Sequence, residues 1–183
     1  MSRFGEFLAT DCVREELIIG SGVGLMALHG GFEFGTRRLA RSISDLISVS
    51  LYTVVQPAGL AWHLPSTSYD RAASPNLHRF LEHVRLVVSF HGYHRPELPD
   101  KVLLGGTNRS LAAALDEALG VEGVPAVSNL AVIPKALRGQ HARNPVNIPI
   151  EAGVQVELPR SMRRPVPLAG IVRAVSKVLE GMV

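Results

Sequence analysis

The stretch Gly24-Leu25-Met26-Ala27-Leu28-His29-Gly30-Gly31-Phe32-Glu33-Phe34-Gly35-Thr36 carries the reading of the fold. Its apolar run, residues 24–28, is too short for a stable helix and has the profile of a buried strand. The run stops at His29, and Gly30 and Gly31 permit a sharp turn behind it. Thr36 can then cap a helix in which Leu39, Ile43, Leu46 and Ile47 fall on one face. Strand, glycine turn and helix, in that order, open an α/β fold.

The pattern repeats outward from there. Aliphatic runs at 51–55, 86–90, 102–104 and 154–158 are further strand candidates. Ser74-Pro75 signals a helix start, continued at helical spacing by Leu77, Phe80, Leu81 and Val84. Asn108 can cap a helix carrying Leu111, Leu115, Ala118 and Leu119, closed by Gly120. Near the C-terminus Leu168, Ile171, Val172, Val175 and Leu179 mark another. No repeat, low-complexity tract or linker divides the chain. The expectation is a single α/β domain over residues 1–183, an αβα sandwich with a mixed, largely parallel sheet. Such folds collect their chemistry at the carboxyl ends of the strands.

Composition narrows the function classes. Of 183 residues, 46% are hydrophobic and 19% charged, an ordinary globular balance that excludes intrinsic disorder. Net charge is +3 and the pI about 9.4, with Arg supplying most of the positive charge. That suits an anionic substrate. No helix shows a concentrated basic face, so nucleic acid is not an expected partner. One cysteine, Cys12, excludes an internal disulfide and a Cys-based zinc finger. The first residues lack a basic stretch followed by an apolar run, and no run approaches membrane-spanning length. A cytoplasmic location and no membrane partner are expected, and the oligomeric state is left open.

Three strand candidates run into, or contain, residues that can bind or work with a metal. His29 and Glu33 follow the first, His91 follows 86–90, and Glu157 lies in 154–158. Two imidazoles and one carboxylate are a common catalytic zinc set that leaves a fourth position for water. Zinc lowers the pKa of such a water, and a nearby carboxylate, here Glu157, can take its proton. A single His in this setting is more often a hydrogen-bonded core group, and a Gly pair more often only a turn. The set at strand ends is what points to a metal.

At these residues the sequence resembles the poly-γ-glutamate hydrolase family, associated with bacteriophages and bacteria. The match runs over about 24–163. It takes in Leu28-His29-Gly30-Gly31, Glu33-Phe34-Gly35-Thr36, Trp62-His63-Leu64-Pro65-Ser66, Ser89-Phe90-His91-Gly92-Tyr93 and Leu104-Gly105-Gly106-Thr107-Asn108. It closes with Asn144-Pro145-Val146-Asn147 and Gly153-Val154-Gln155-Val156-Glu157-Leu158. The resemblance implies a compact relative of the zinc carboxypeptidases that hydrolyses γ-glutamyl amide bonds with one zinc ion. His29, Glu33 and His91 fall on the family's zinc ligands and Glu157 on its catalytic carboxylate. Many members carry one more residue between the first His and the Glu, and Phe34 stands where Pro is usual.

Other residues have candidate roles beside this set. His63 can donate to substrate or orient a ligand, or be a structural loop residue. Tyr93 can stabilise an oxyanion or simply pack its ring. Arg109 and Arg163 can hold a substrate carboxylate, since Arg pairs with carboxylates bidentately, or lie as solvated surface groups. The expected partner is an anionic γ-glutamyl polymer. Peptidoglycan-derived γ-glutamyl peptides are an alternative, and a metal-binding protein without turnover is a third reading.

Overall fold

The computed structural model describes residues 2–57, 59–98 and 100–183. Strand β1 spans Arg14–Ile18, β2 Ser21–Gly30, β3 Val49–Val55, β4 Leu86–Tyr93, β5 Val102–Leu104, β6 Ala126–Val127 and β7 Gly153–Pro159. They form one sheet in the order β1-β3-β2-β4-β7-β5-β6. The inner pairs β2–β3, β2–β4 and β4–β7 are parallel, as is β5–β6, while β1–β3 and β5–β7 are antiparallel. The sheet is mixed and largely parallel, as the alternation of runs predicts.

Strand alternation explains why the inner strands are continuous apolar runs. In β2, Leu25 and Ala27 enter one core while Met26 and Leu28 enter another. The first core is covered by α2 (Thr36–Leu46), α4 (Arg109–Val121) and α5 (Pro165–Glu180), through Leu39, Ile43, Leu115, Ile171 and Leu179. The second is covered by α1 (Arg3–Leu8) and α3 (Pro75–His83), through Phe4, Phe7, Leu77 and Phe80. Each fully buried side chain of this size contributes about 1.5–3 kcal/mol of transfer free energy. Among the described residues, no helix is long and apolar enough to cross a membrane.

Helix ends follow the sequence signals with two differences. Ser74 Oγ accepts from Leu77 N at 2.9 Å and Asn108 Oδ1 from Leu111 N at 3.0 Å, as N-caps. At α2, however, the cap position is Gly35, with φ of 93°, and Thr36 is the first helical residue. Its hydroxyl donates back to Glu33 O at 2.9 Å, tying the helix start to the preceding turn. Helix α4 runs one residue past Gly120, and the left-handed residue that follows it is Gly123, with φ of 69°.

The connections fix where a cleft opens. From β2 the chain crosses one face through α2 to β3; from β3 it crosses the opposite face through α3 to β4, on the other side of β2. The direction of winding therefore reverses between β2 and β4, and ligands bind beyond the carboxyl ends of such strands. His29 ends β2 one residue before its last, and His91 lies two residues before the end of β4.

Candidate metal centre

The turn after β2 folds back on itself. Phe32 N and Glu33 N both donate to His29 O, at 3.1 and 2.8 Å, so Glu33 returns one turn later to face its own strand. Gly31 makes this possible with φ of 86°; a Cβ there would lie 2.0 Å from Gln56 O. Only glycine accepts both the angle and the approach. The shorter His-to-Glu spacing is thus accommodated as a single tight turn, with no proline needed.

Strands β4 and β7 supply the rest through register. Parallel pairing sets Ser89 beside Gln155 and His91 beside Glu157, with Phe90 and Val156 turned to the opposite core. Residues two apart on a strand share a face. Ser89 Oγ accordingly lies 3.0 Å from His91 Nε2, and Gln155 Nε2 donates to Glu157 Oε1 at 2.8 Å. Asn144 Nδ2 donates to Gln155 Oε1 at 2.7 Å, completing a buried relay to the loop before β7.

Three electron-pair donors converge. His29 Nε2 lies 2.8 Å from Leu64 O, which can only accept, so Nε2 carries the proton and Nδ1 presents its lone pair. That lone pair faces Glu33 Oε1 at 2.9 Å and His91 Nδ1 at 3.3 Å, and His91 Nδ1 lies 3.8 Å from Glu33 Oε2. Lone pairs this close in a buried pocket need a cation between them, either a proton or a metal ion. A tetrahedral ion with bonds of about 2.0–2.1 Å separates its donors by roughly 3.3 Å, and the observed spacings straddle that value. The residues fit a bound metal. His63 is within reach as well: it offers one ligand atom within 4.8 Å of those of His29 and Glu33, although it is exposed.

The titration of the set follows from burial and mutual charge. Burial works to lower the His29 pKa, yet the adjacent Glu33 carboxylate outweighs it and the net shift is upward. Burial pushes Glu33 up, but His29, His91 and the Gly92 N–H, which donates to Oε2 at 2.9 Å, hold it below its ordinary value. Burial takes His91 down to about 4. Glu157 goes the other way, to about 8, through burial and then the charge of Glu33.

These groups line a cavity of about 560 Å³ whose far wall is formed by residues 135–141. His63 is part of the lining, with its ring centroid 5.0 Å from that of His29. Tyr93, Arg109 and Arg163 are not. The Tyr93 hydroxyl donates to Lys101 O at 2.7 Å. Arg109 is held by backbone carbonyls, those of Leu104, Gly105, Gly106 and Ser128. Arg163 is buried against Gly92, where a Cβ would lie 2.6 Å from its Nη1, and its terminal nitrogens donate to Phe34 O and Tyr93 O. The close approach that Gly92 permits is thus that of a guanidinium.

A model of the poly-gamma-glutamate hydrolase family matches residues 10–167. The chain belongs to this family. YoqZ, an SPbeta prophage-derived UPF0714 protein of Bacillus subtilis (strain 168), is 31% identical over 170 residues, covering 89% of this chain and 57% of that protein. The chain spans about half the length of the curated relatives it matches. Two solved structures share its fold. They are a bacteriophage poly-gamma-glutamate hydrolase (TM-score 0.82, 22% identity, 97% of this chain and 93% of that one) and YndL in a zinc-free form (TM-score 0.82, 24% identity, 97% and 95%). A metallo-carboxypeptidase from Burkholderia cenocepacia shares it more distantly, with a TM-score of 0.52 and 10% identity over 98% of this chain and 68% of that one.

In this member of the poly-gamma-glutamate hydrolase family, the cations that line the cleft are Lys135 and Arg138. Sequence reading did not single them out. Arg138 is anchored by its Nε, which donates to Ile133 O at 2.8 Å, and by its carbonyl, which accepts from Gly106 N at 2.7 Å. Its terminal nitrogens have no partner among the described residues. Gln155 was also passed over, though its position two residues before Glu157 on a strand is a legible signal.

Proposed function

We propose that this chain is a zinc-dependent hydrolase of γ-glutamyl amide bonds, acting on poly-γ-glutamate. The observation that carries the reading is the convergence of His29 Nδ1, His91 Nδ1 and the Glu33 carboxylate, within 2.9–3.8 Å, beside a buried Glu157. Family membership supplies the substrate class. The zinc-free description of the YndL structure, a protein of the same fold, agrees with the choice of metal. His29, Glu33 and His91 would hold the ion. His91 is preferred over His63 because it is buried and held by Ser89, whereas His63 is exposed.

Zinc, when bound, supplies Lewis acidity that polarises the scissile carbonyl and acidifies a water. The residues do the remainder. Glu157 accepts a proton from the attacking water as the new C–O bond forms, then passes it to the departing nitrogen as the C–N bond breaks. Burial and the Glu33 charge push its pKa up in the metal-free pocket, and a cation held by His29, Glu33 and His91 would draw it back toward the ionised form that a base requires. Gln155 keeps the carboxylate aimed, and His63 is placed to donate to the substrate. Arg138, with its terminal nitrogens free, is suited to a carboxylate of the γ-linked chain.

Replacing Glu157 by Gln tests the assignment. The expected result is a full complement of zinc with hydrolysis of poly-γ-glutamate reduced at least about a hundredfold, consistent with loss of a general base. Near-normal turnover in that variant removes Glu157 from the mechanism. A wild-type protein that binds no zinc removes the metal reading.

A further inference from the structure

The cleft continues beyond the metal-binding residues. Thr67 lines it and also lines a second cavity of about 660 Å³. On the opposite wall the chain passes from His141 in the first to Ala142 and Arg143 in the second. Three arginines line this second cavity from separate parts of the sequence: Arg3 from α1, Arg71 from the turn before α3, and Arg143. The one carboxylate among them, Asp70, accepts from Ala72 N at 2.9 Å through Oδ1, and against the three arginines it leaves the lining with a formal charge of +2.

Arg37, Arg41, Arg85 and Arg173 are each held in an ion pair. Among the described residues, Arg3, Arg71 and Arg143 have no ion pair and no side-chain hydrogen bond. A hollow with this excess of positive charge favours an anion within it. An acidic polymer with regularly repeated carboxylates would meet these cations while one of its amides lies beside Glu157.

We propose that this second cavity is a distal subsite that grips a further stretch of the polyanionic γ-glutamyl chain. The inference rests on the functional reading above and deepens it: a grip away from the reacting amide favours long chains over short ones.

The test compares the zinc-loaded wild type with R3Q/R71Q/R143Q on poly-γ-glutamate and on the shortest γ-glutamyl oligomer the wild type cleaves. Polymer binding is also followed by fluorescence anisotropy at low and high salt, with and without these substitutions on an E157Q background. The expected result is a KM for the polymer raised about tenfold or more, with kcat and the oligomer parameters retained. On the E157Q background, affinity falls by a similar factor and its salt dependence weakens. Unchanged polymer affinity overturns the subsite, as does an equal loss on polymer and oligomer. If the wild type cleaves neither substrate, the functional reading fails, while the binding comparison still decides whether the arginine cavity holds the polymer.

Discussion

Gln155 Nε2 donates to Glu157 Oε1 at 2.8 Å from two residues back along the same face of β7. This hydrogen bond favours the ionised carboxylate and so opposes the upward pull of burial and of Glu33. Replacing Gln155 by Leu removes it and leaves Asn144 Nδ2 with Gly139 O as its remaining acceptor. The expected outcome is an acidic limb of the kcat/KM profile displaced to higher pH, with activity lower by about 10–100-fold. A pH–rate profile identical to the wild type's would separate Gln155 from the carboxylate's titration.

The metal-free protein carries a second pH signature. Glu157 has its folded pKa raised from 4.5 to about 8, so between these values the folded state holds a proton that the unfolded state has released. Its contribution to stability is full below pH 4.5 and is lost as pH rises through about 8. E157Q has no such proton to lose. Urea denaturation of the two metal-free proteins from pH 5 to pH 8 should show the variant gaining on the wild type across the whole window. Parallel stability curves would contradict the raised pKa.

Gly31 is the least replaceable residue of the turn. With φ of 86° and Gln56 O at 2.0 Å from an added Cβ, Gly31→Ala forces the chain away from β3's continuation. The cost is expected to exceed about 2 kcal/mol in thermal or chemical denaturation. Zinc affinity should fall with it, because Glu33 meets His29 only through this turn. A metal titration by calorimetry reads the second effect independently of the first.

Two arginines should respond in opposite ways. Arg138→Gln removes a lining cation and one hydrogen bond, to Ile133 O, so KM for γ-glutamyl substrates is expected to rise roughly tenfold with a stability loss of no more than about 1 kcal/mol. Arg109→Gln removes a guanidinium that ties β5, α4 and the segment after β6 together through carbonyls. There the expected result is a stability loss of about 2 kcal/mol with KM unchanged. Kinetics and melting of both variants in one buffer check the contrast.

The inner strands were legible because a strand buried on both faces is written as an unbroken apolar run; 24–28, 86–90 and 154–158 lie within β2, β4 and β7. The edges were not. Strand β1 reads Arg-Glu-Glu-Leu-Ile, since Glu15 takes hydrogen bonds from the hydroxyls of Tyr52 and Ser74 and Glu16 pairs with Arg37 and Arg41. Polar groups satisfied by distant partners look like a loop in sequence. Strand β6 has only two residues and no pattern to read.

At the site, residues close to an apolar strand in sequence, or within a family motif such as that around His63, were visible, and residues of the wall 135–141 were not. His29, His91 and Glu157 sit at or near strand ends, where apolar runs point to them. Arg138 reaches the cleft because its carbonyl accepts from Gly106 N, a contact between segments more than thirty positions apart that no local spacing announces. Arg109, by contrast, follows a glycine pair that suggests a ligand loop, yet its partners are the carbonyls of that same loop.

The shared register of β4 and β7 has a consequence for how the molecule tolerates change. A slip of one residue would exchange His91 and Glu157 for Phe90 and Val156, emptying the pocket and putting charge into the core at the same stroke. Insertions and deletions inside these two strands should therefore abolish folding and turnover together, whereas length changes in the connecting segments can spare both. A library of single-residue indels across residues 86–93 and 153–159 would sort into intact and lost, with few half-active survivors. On the proposed function, hydrolysis by this protein would thereby also serve as an assay for correct strand alignment.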